Sequence, residues 1–116
     1  MTTRQDSGDL LQGTLGILIL KSLLLAPAHG FGIARWIEET TGDVLRIEEG
    51  SLYPALRRLE DRGWVTSEWG LSENNRRARF YTITAAGRKH LRNEAATWLR
   101  YSEAVALVLR AAPAIA

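Results

Sequence analysis

Apolar residues in the first half of the chain recur at helical spacing and predict three helices. The first spans residues 10–25, and its apolar side chains cover nearly the whole circumference. The second spans residues 31–41 and ends before Gly42, and the third spans residues 51–62 and ends before Gly63. Because a short linker joins the last two helices, the pattern is typical of a helix-turn-helix motif.

The apolar period then changes to two residues, which indicates β-strands. Residues 64–69 and 79–83 are the predicted strands, and the polar segment 70–78 between them contains turn-forming Gly, Ser and Asn. A hairpin directly after a helix-turn-helix is the wing of a winged helix. The positions expected to face the core are Val65, Tyr81 and Ile83.

A helical pattern returns after Thr84, a good N-cap residue, and continues to Arg110. One face of this helix carries residues spaced by alternating steps of four and three over about three heptads, near the lower limit for a coiled coil. The chain is therefore predicted to be mainly α with a small β-hairpin. Its expected divisions are a flexible N-terminus (1–9), a winged helix-turn-helix (10–84), a dimerisation helix (85–110) and a tail (111–116).

The first helix and the last helix both predict a partner. A helix that is apolar all round must be buried all round, and we expect one small core to cover a single side of it. A second copy of the chain is the simplest partner for both helices. The residues expected at the dimer contact are Leu11, Leu15, Leu18, Leu91, Ala95, Trp98, Ser102, Val105 and Leu109.

The apolar segment 10–25 could instead belong to a signal peptide or a membrane span. Asp6 and Asp9 precede it where a signal peptide needs positive charge, and Pro27 disfavours cleavage. Gln12 and Lys21 interrupt the run of about 20 apolar residues that a span requires. We therefore expect a buried helix in a cytoplasmic protein that does not bind membranes.

Charge is unevenly distributed along the 116 residues. Residues 1–49 have four basic and seven acidic side chains, whereas residues 50–116 have eleven basic and six acidic side chains. Thirteen of the 15 basic residues are arginines, which stay charged and bind phosphates and guanines through a planar fork. The asymmetry predicts a surface that faces a polyanion.

Several classes of function are disfavoured by composition. The chain has no Cys and only two His, so disulfides, a metal site and a metal cofactor are not expected. No nucleophile–base motif and no phosphate-binding glycine loop occur in the sequence. We therefore do not expect an enzyme.

Several ordered motifs resemble those of the PadR-like transcriptional regulators. They are LQGTL at 11–15, HGFGI at 29–33, EGSLYPALRRLE at 49–60 and YTITAAG at 81–87. The length is similar to the short branch of that family, which has one C-terminal helix. The run WGLSENNRRA at 69–78 is similar to a subgroup common in acidobacterial genomes.

This resemblance implies a dimeric repressor that binds an inverted repeat of double-stranded DNA. The third helix would enter the major groove, where Arg57 can fork onto a guanine. Ser51 and Tyr53 are suited to phosphate contacts, and the wing arginines would bind the backbone. The expected DNA-binding residues are Ser51, Tyr53, Pro54, Arg57, Arg58, Arg76 and Arg77.

Each assignment has a structural alternative. Arg57 and Arg58 could form a solvated face paired with Glu60 or Asp61, and Tyr53 could be an aromatic residue at the edge of the core. Arg76 and Arg77 could be ordinary loop charges. The whole domain could be a protein-interaction module, because winged helices also bind proteins.

The aromatic residues raise a separate question about ligands. Trp98 lies between the small residues Ala95 and Ser102, so two copies near a dimer axis could hold a planar effector, or Trp98 could simply fill the interface. Trp36, Trp64 and Trp69 are expected to be structural. Phe31 occupies a position that is often Tyr in the family and is assigned to packing.

Overall fold

The computed structural model describes residues 14–114, which form four helices and a small sheet. The elements in chain order are α1 (Leu15–Ser22), β1 (Ala28–His29), α2 (Gly30–Thr40), α3 (Glu49–Asp61), β2 (Val65–Leu71), β3 (Arg77–Ile83) and α4 (Ala85–Arg110).

The three strands form one antiparallel sheet in the order β1-β3-β2. Val65 pairs with Ile83 at one end of the hairpin, and Ala28 pairs with Tyr81 on the other side of β3. Val65, Tyr81 and Ile83 are buried, which confirms their predicted inward orientation. Strand β1 has only two residues, which is too short to show an alternating pattern, so the sequence does not predict it. The helix-turn-helix followed by this sheet is a winged helix.

Helix α1 packs against three other helices of its own chain. Leu15, Ile19 and Leu20 are buried, and Ile17 and Leu18 pack partly against the core. The reason is that α2, α3 and α4 all contact α1. The fully buried residues lie on one side of the helix and Ile17 and Leu18 stay partly exposed, so the expected partner on the other side stays a prediction. The predicted residues 10–13, with Leu11, lie outside the described residues.

Helix α1 also ends earlier than the predicted residue 25. The amide of Leu23 donates to the Leu20 carbonyl, and that of Leu24 donates to the Lys21 carbonyl, which closes the last turn. Pro27 then disfavours helical backbone at the residue before it. Leu25 consequently lies outside the helix and is fully exposed.

Two side chains fix the turn between α2 and α3. The Thr41 hydroxyl donates to the Ile37 carbonyl (3.0 Å) and accepts from the Leu45 amide (3.1 Å). Glu38 accepts a hydrogen bond from the Ile47 amide at 2.8 Å, and this places Ile47 in the core. The orientation of α3 relative to α2 is thus set by hydrogen bonds as well as by packing.

Helix α3 begins two residues earlier than predicted. Its core face is buried through Leu52, Leu56 and Leu59, which recur at helical spacing. The early start makes Pro54 the sixth helical residue, beyond the first turn in which a proline is tolerated without loss of a helical hydrogen bond. Proline has no N–H, so the Gly50 carbonyl lacks its helical donor. Both residues are exposed, and water can replace that bond.

Helix α4 has 26 residues, a length of about 39 Å at 1.5 Å per residue. The Thr84 hydroxyl accepts from the Gly87 amide, which confirms the predicted cap. The first part packs on the core through Leu91, and Trp64 stacks on His90 with ring centroids 3.6 Å apart. From Trp98 onward the large apolar side chains are exposed. None of the helices within residues 14–114 has the length and apolarity needed to cross a membrane.

Candidate nucleic-acid interface

The exposed face of α3 carries the predicted contact residues of this helix. Ser51, Tyr53, Pro54, Arg57 and Arg58 are all exposed. Within residues 14–114, the ion pairs are formed by Arg35, Arg46 and Arg79, so neither Arg57 nor Arg58 takes part in one. The structural alternative that pairs them with Glu60 or Asp61 therefore has no contact to support it, and both guanidinium groups can bind a ligand.

The Tyr53 ring packs against Gly30 at the N-terminus of α2. A Cβ atom on Gly30 would lie 2.7 Å from the Tyr53 hydroxyl oxygen, so the ring occupies space that only a glycine leaves free. His29 caps the same helix, because its Nδ1 atom accepts the Gly32 amide at 3.0 Å. The close approach to Gly30 places Tyr53 at a defined position beside this cap.

The wing turn at residues 72–76 presents two of the predicted arginines. The Ser72 amide donates to the Arg76 carbonyl, and the Asn75 amide donates to the Ser72 carbonyl. Asn75 has a φ of 59°, a left-handed conformation that Asn tolerates better than most residues. Arg76 ends this tight turn, Arg77 begins β3, and both are exposed.

One face of the wing combines an indole with two arginines. Trp69 on β2 pairs directly with Arg79 on β3, so their side chains share a face. The guanidinium carbon of Arg77 lies 4.7 Å from the Trp69 ring centroid, and that of Arg79 lies 5.6 Å away. Trp69 is 56% exposed, so the expectation that it is a structural residue is wrong. Trp64, which stacks on His90, has such a role.

A polar network ties this face to the end of α3. The Ser67 hydroxyl donates to Glu60 at 2.7 Å, and Arg79 Nε donates to the Ser67 hydroxyl at 2.8 Å. A terminal nitrogen of Arg79 lies 3.9 Å from the same Glu60 oxygen. Glu60, which the sequence places only at the far end of the helix, therefore fixes the wing relative to α3.

A groove of about 730 Å³ lies between the wing, α3 and the start of α2. Its lining includes Phe31, Tyr53, Trp69, Arg77 and Tyr81. Burial raises the pKa of the Tyr81 hydroxyl above its ordinary value, so this group stays neutral and adds no negative charge. Phe31 is 68% exposed because α2 buries Ile33 and Ile37 instead. The assignment of Phe31 to packing is wrong.

Acidic residues lie on the opposite side of Tyr53. Glu38, Glu39, Asp43 and Glu49 line a second depression between α2 and α3. Glu49 belongs to the first turn of α3, close to the predicted phosphate contact Ser51. Arg35 also lines this depression and pairs with Glu39 at 2.9 Å. The predicted DNA-binding arginines lie outside it, on the exposed face of α3 and in the wing.

The residues expected at a dimer contact fall into three groups. Leu15 and Leu91 are buried in the chain's own core, and Leu18 and Ala95 pack partly against it. Ser102 is partly exposed. The large exposed side chains of the predicted stripe all belong to the second half of α4, namely Trp98, Val105 and Leu109.

Two solved structures share this architecture. A transcriptional regulator from Clostridium thermocellum is 29% identical, with a TM-score of 0.75 over 84% of this chain and 94% of that chain. A PadR family transcriptional regulator from Eggerthella lenta is also 29% identical, with a TM-score of 0.75 over 94% and 93% of the two chains.

Sequence comparison agrees with the structural similarity. The negative transcriptional regulator PadR of Bacillus subtilis is 26% identical over 73 residues, which are 63% of this chain and 40% of that protein. The model of the transcriptional regulator PadR-like family matches residues 19–93, well over half of the sequence. The winged helix described above thus belongs to a member of the PadR-like family of transcriptional regulators.

Proposed function

We propose that this protein is a sequence-specific DNA-binding repressor. The observation that carries the proposal is the placement of unpaired, exposed arginines on α3 beside a wing that carries three more. An α-helix fits the major groove of B-DNA, and a neighbouring basic hairpin can reach the flanking backbone. Repression is supported by the name of the Bacillus subtilis relative, a negative transcriptional regulator.

The proposed contacts divide into two kinds. Arg57 would bind a guanine edge and Arg58 the adjacent groove wall, with Tyr53 and Pro54 lying along the same face. Arg76 and Arg77 would neutralise phosphates, which increases affinity for any sequence. Ser51 would donate to a phosphate from the first turn of α3, although Glu49 weakens the positive field there.

Selection of bound duplexes from a random DNA pool, repeated at two salt concentrations, tests this function. We expect one inverted repeat to be recovered, with binding that weakens as salt rises. Binding that is lost with salt and enriches no sequence would contradict a sequence-specific repressor. Little dependence of DNA binding on salt would favour the alternative, a protein-interaction module.

We further propose that two copies pair through the second half of α4. A two-fold dimer presents the same patch from each protomer, and Trp98, Val105 and Leu109 offer such an apolar stripe. The two recognition helices would then contact half-sites about 34–36 Å apart.

The dimer proposal predicts a position-dependent effect of charge on α4. Val105→Glu is expected to yield a monomer of 12.9 kDa, because two buried carboxylates would face each other across the axis. Leu107→Glu is the matched control, since it adds the same charge to an exposed leucine outside the stripe. Light scattering measures the mass. Equal masses for the two variants would contradict the proposed stripe.

A planar effector between the two Trp98 side chains would relieve repression. Trp98 is 43% exposed and has small neighbours one turn away on either side. We expect planar cationic or neutral dyes to quench the indole fluorescence of the wild type, and Trp98→Ala to abolish this component of the quenching. Quenching that is unchanged in Trp98→Ala would exclude this site.

A further inference from the structure

Trp69 is exposed on the wing although its environment is organised. Two guanidinium groups lie near its indole, with the Cζ atom of Arg77 at 4.7 Å and that of Arg79 at 5.6 Å from the ring centroid. Both distances are within the range of cation–π attraction, for which the indole is the best natural partner. Trp69 is not among the side chains that form the core or pack against it.

The two arginines differ in what else they contact. Arg79 donates from Nε to the Ser67 hydroxyl, and a terminal nitrogen lies 3.9 Å from Glu60, so its charge is partly balanced by a carboxylate. Within the described part of the chain, Arg77 has the indole contact but no carboxylate partner. A guanidinium stacked by its face keeps the N–H donors of its edge free for a phosphate. Arg77 is therefore held in place by the indole while its N–H donors remain available to a ligand.

The indole and Arg77 both line the groove between the wing and α3. The other side of this groove carries Tyr53, whose hydroxyl is also suited to a phosphate. A backbone strand that enters beside α3 would meet the edge of Arg77 in the orientation that Trp69 imposes.

We propose that Trp69 is a positioning residue for DNA binding, which holds the Arg77 guanidinium toward a phosphate of the strand in this groove. The inference rests on the proposed DNA-binding function. A long arginine side chain loses conformational entropy when it binds, and a prior contact with an indole reduces that loss. Trp69 thus increases affinity without adding charge and without distinguishing sequences.

The test measures duplex affinity as a function of salt for the full chain and its variants. Trp69→Ala is expected to weaken binding to every duplex about threefold to tenfold, with a salt slope close to that of the wild type because no charge is lost. Arg77→Ala is expected to reduce the slope by about 0.9, the value for one phosphate contact. Trp69→Phe, which keeps a weaker cation–π partner, should restore part of the affinity.

A double variant separates positioning from a structural role. In the Arg77→Ala background, Trp69→Ala should reduce duplex affinity less than twofold, because the guanidinium group that Trp69 positions is absent. Trp36→Ala is the matched control, since it removes a comparably exposed indole that does not line this groove. Thermal unfolding of each variant verifies that the wing remains folded.

Two outcomes would overturn the inference while leaving DNA binding intact. One is an undiminished effect of Trp69→Ala in the Arg77→Ala background, and the other is an affinity of Trp69→Ala equal to that of the wild type. Failure of the wild-type chain to bind any duplex would instead refute the proposed function itself, and the role of Trp69 with it.

Discussion

Replacing Gly87 by alanine is expected to lower the free energy of unfolding by about 3 kcal/mol, at the upper end of the cost of overpacking a core. Gly87 is buried in the first turn of α4, and a Cβ atom there would overlap the carbonyl oxygen of Trp64. It would also lie 2.9 Å from the Ile83 side chain. The Trp64 carbonyl cannot simply move away, because it accepts the Thr84 amide at 3.0 Å.

Urea unfolding followed by circular dichroism measures this effect. Gly50→Ala is the matched control, because Gly50 is a helical glycine with no atom within 4 Å of the added Cβ. Alanine is favoured over glycine in a helix by up to about 1 kcal/mol, so this variant should be no less stable than the wild type. Equal midpoints for the two variants would show that α4 can shift to accommodate the methyl group.

Arg57→Ala is expected to abolish most of the preference for the selected operator over a scrambled duplex. A good arginine–guanine contact contributes roughly 1–3 kcal/mol of discrimination, so the ratio of the two affinities should fall by a factor of about 5 to 150. Fluorescence anisotropy with both duplexes at the same salt concentration measures the ratio. Arg57 is exposed and unpaired, so the variant should fold normally.

Arg77→Ala is the comparison for Arg57, because it removes the same side chain from the wing. It should weaken both duplexes by a similar factor and leave their ratio nearly unchanged, since phosphate contacts carry little sequence information. If both variants lost affinity equally on every sequence, the division of roles between α3 and the wing would be wrong.

Patterns with a local physical cause were predictable from the sequence. The cap at Thr84 and the inward positions of the hairpin depend on neighbouring residues alone, and the structure confirms them. The exposed face of α3 follows in the same way from the spacing of Leu52, Leu56 and Leu59.

Features set by contacts distant in sequence were not predictable. The burial of α1 depends on contacts with three other helices of the chain. The cluster of Trp69, Arg77 and Arg79 requires the register of the hairpin, which brings Trp69 opposite Arg79. The close approach of Tyr53 to Gly30 joins residues that lie 23 positions apart and belong to two separate motifs.

Helix α4 follows strand β3 with only Thr84 between them. The Thr84 hydroxyl bonds to Gly63 at 2.7 Å and its amide bonds to Trp64, so this residue cannot act as a swivel. In the proposed dimer, each long helix would then work as a rigid lever that carries its winged domain with it. One extra base pair shifts a half-site by about 3.4 Å. Rigid helices would not adjust to this shift, so binding to such an operator would strain the dimer. In such a dimer, the hydrogen bonds of Thr84 would therefore restrict the operator spacing that the protein can bind.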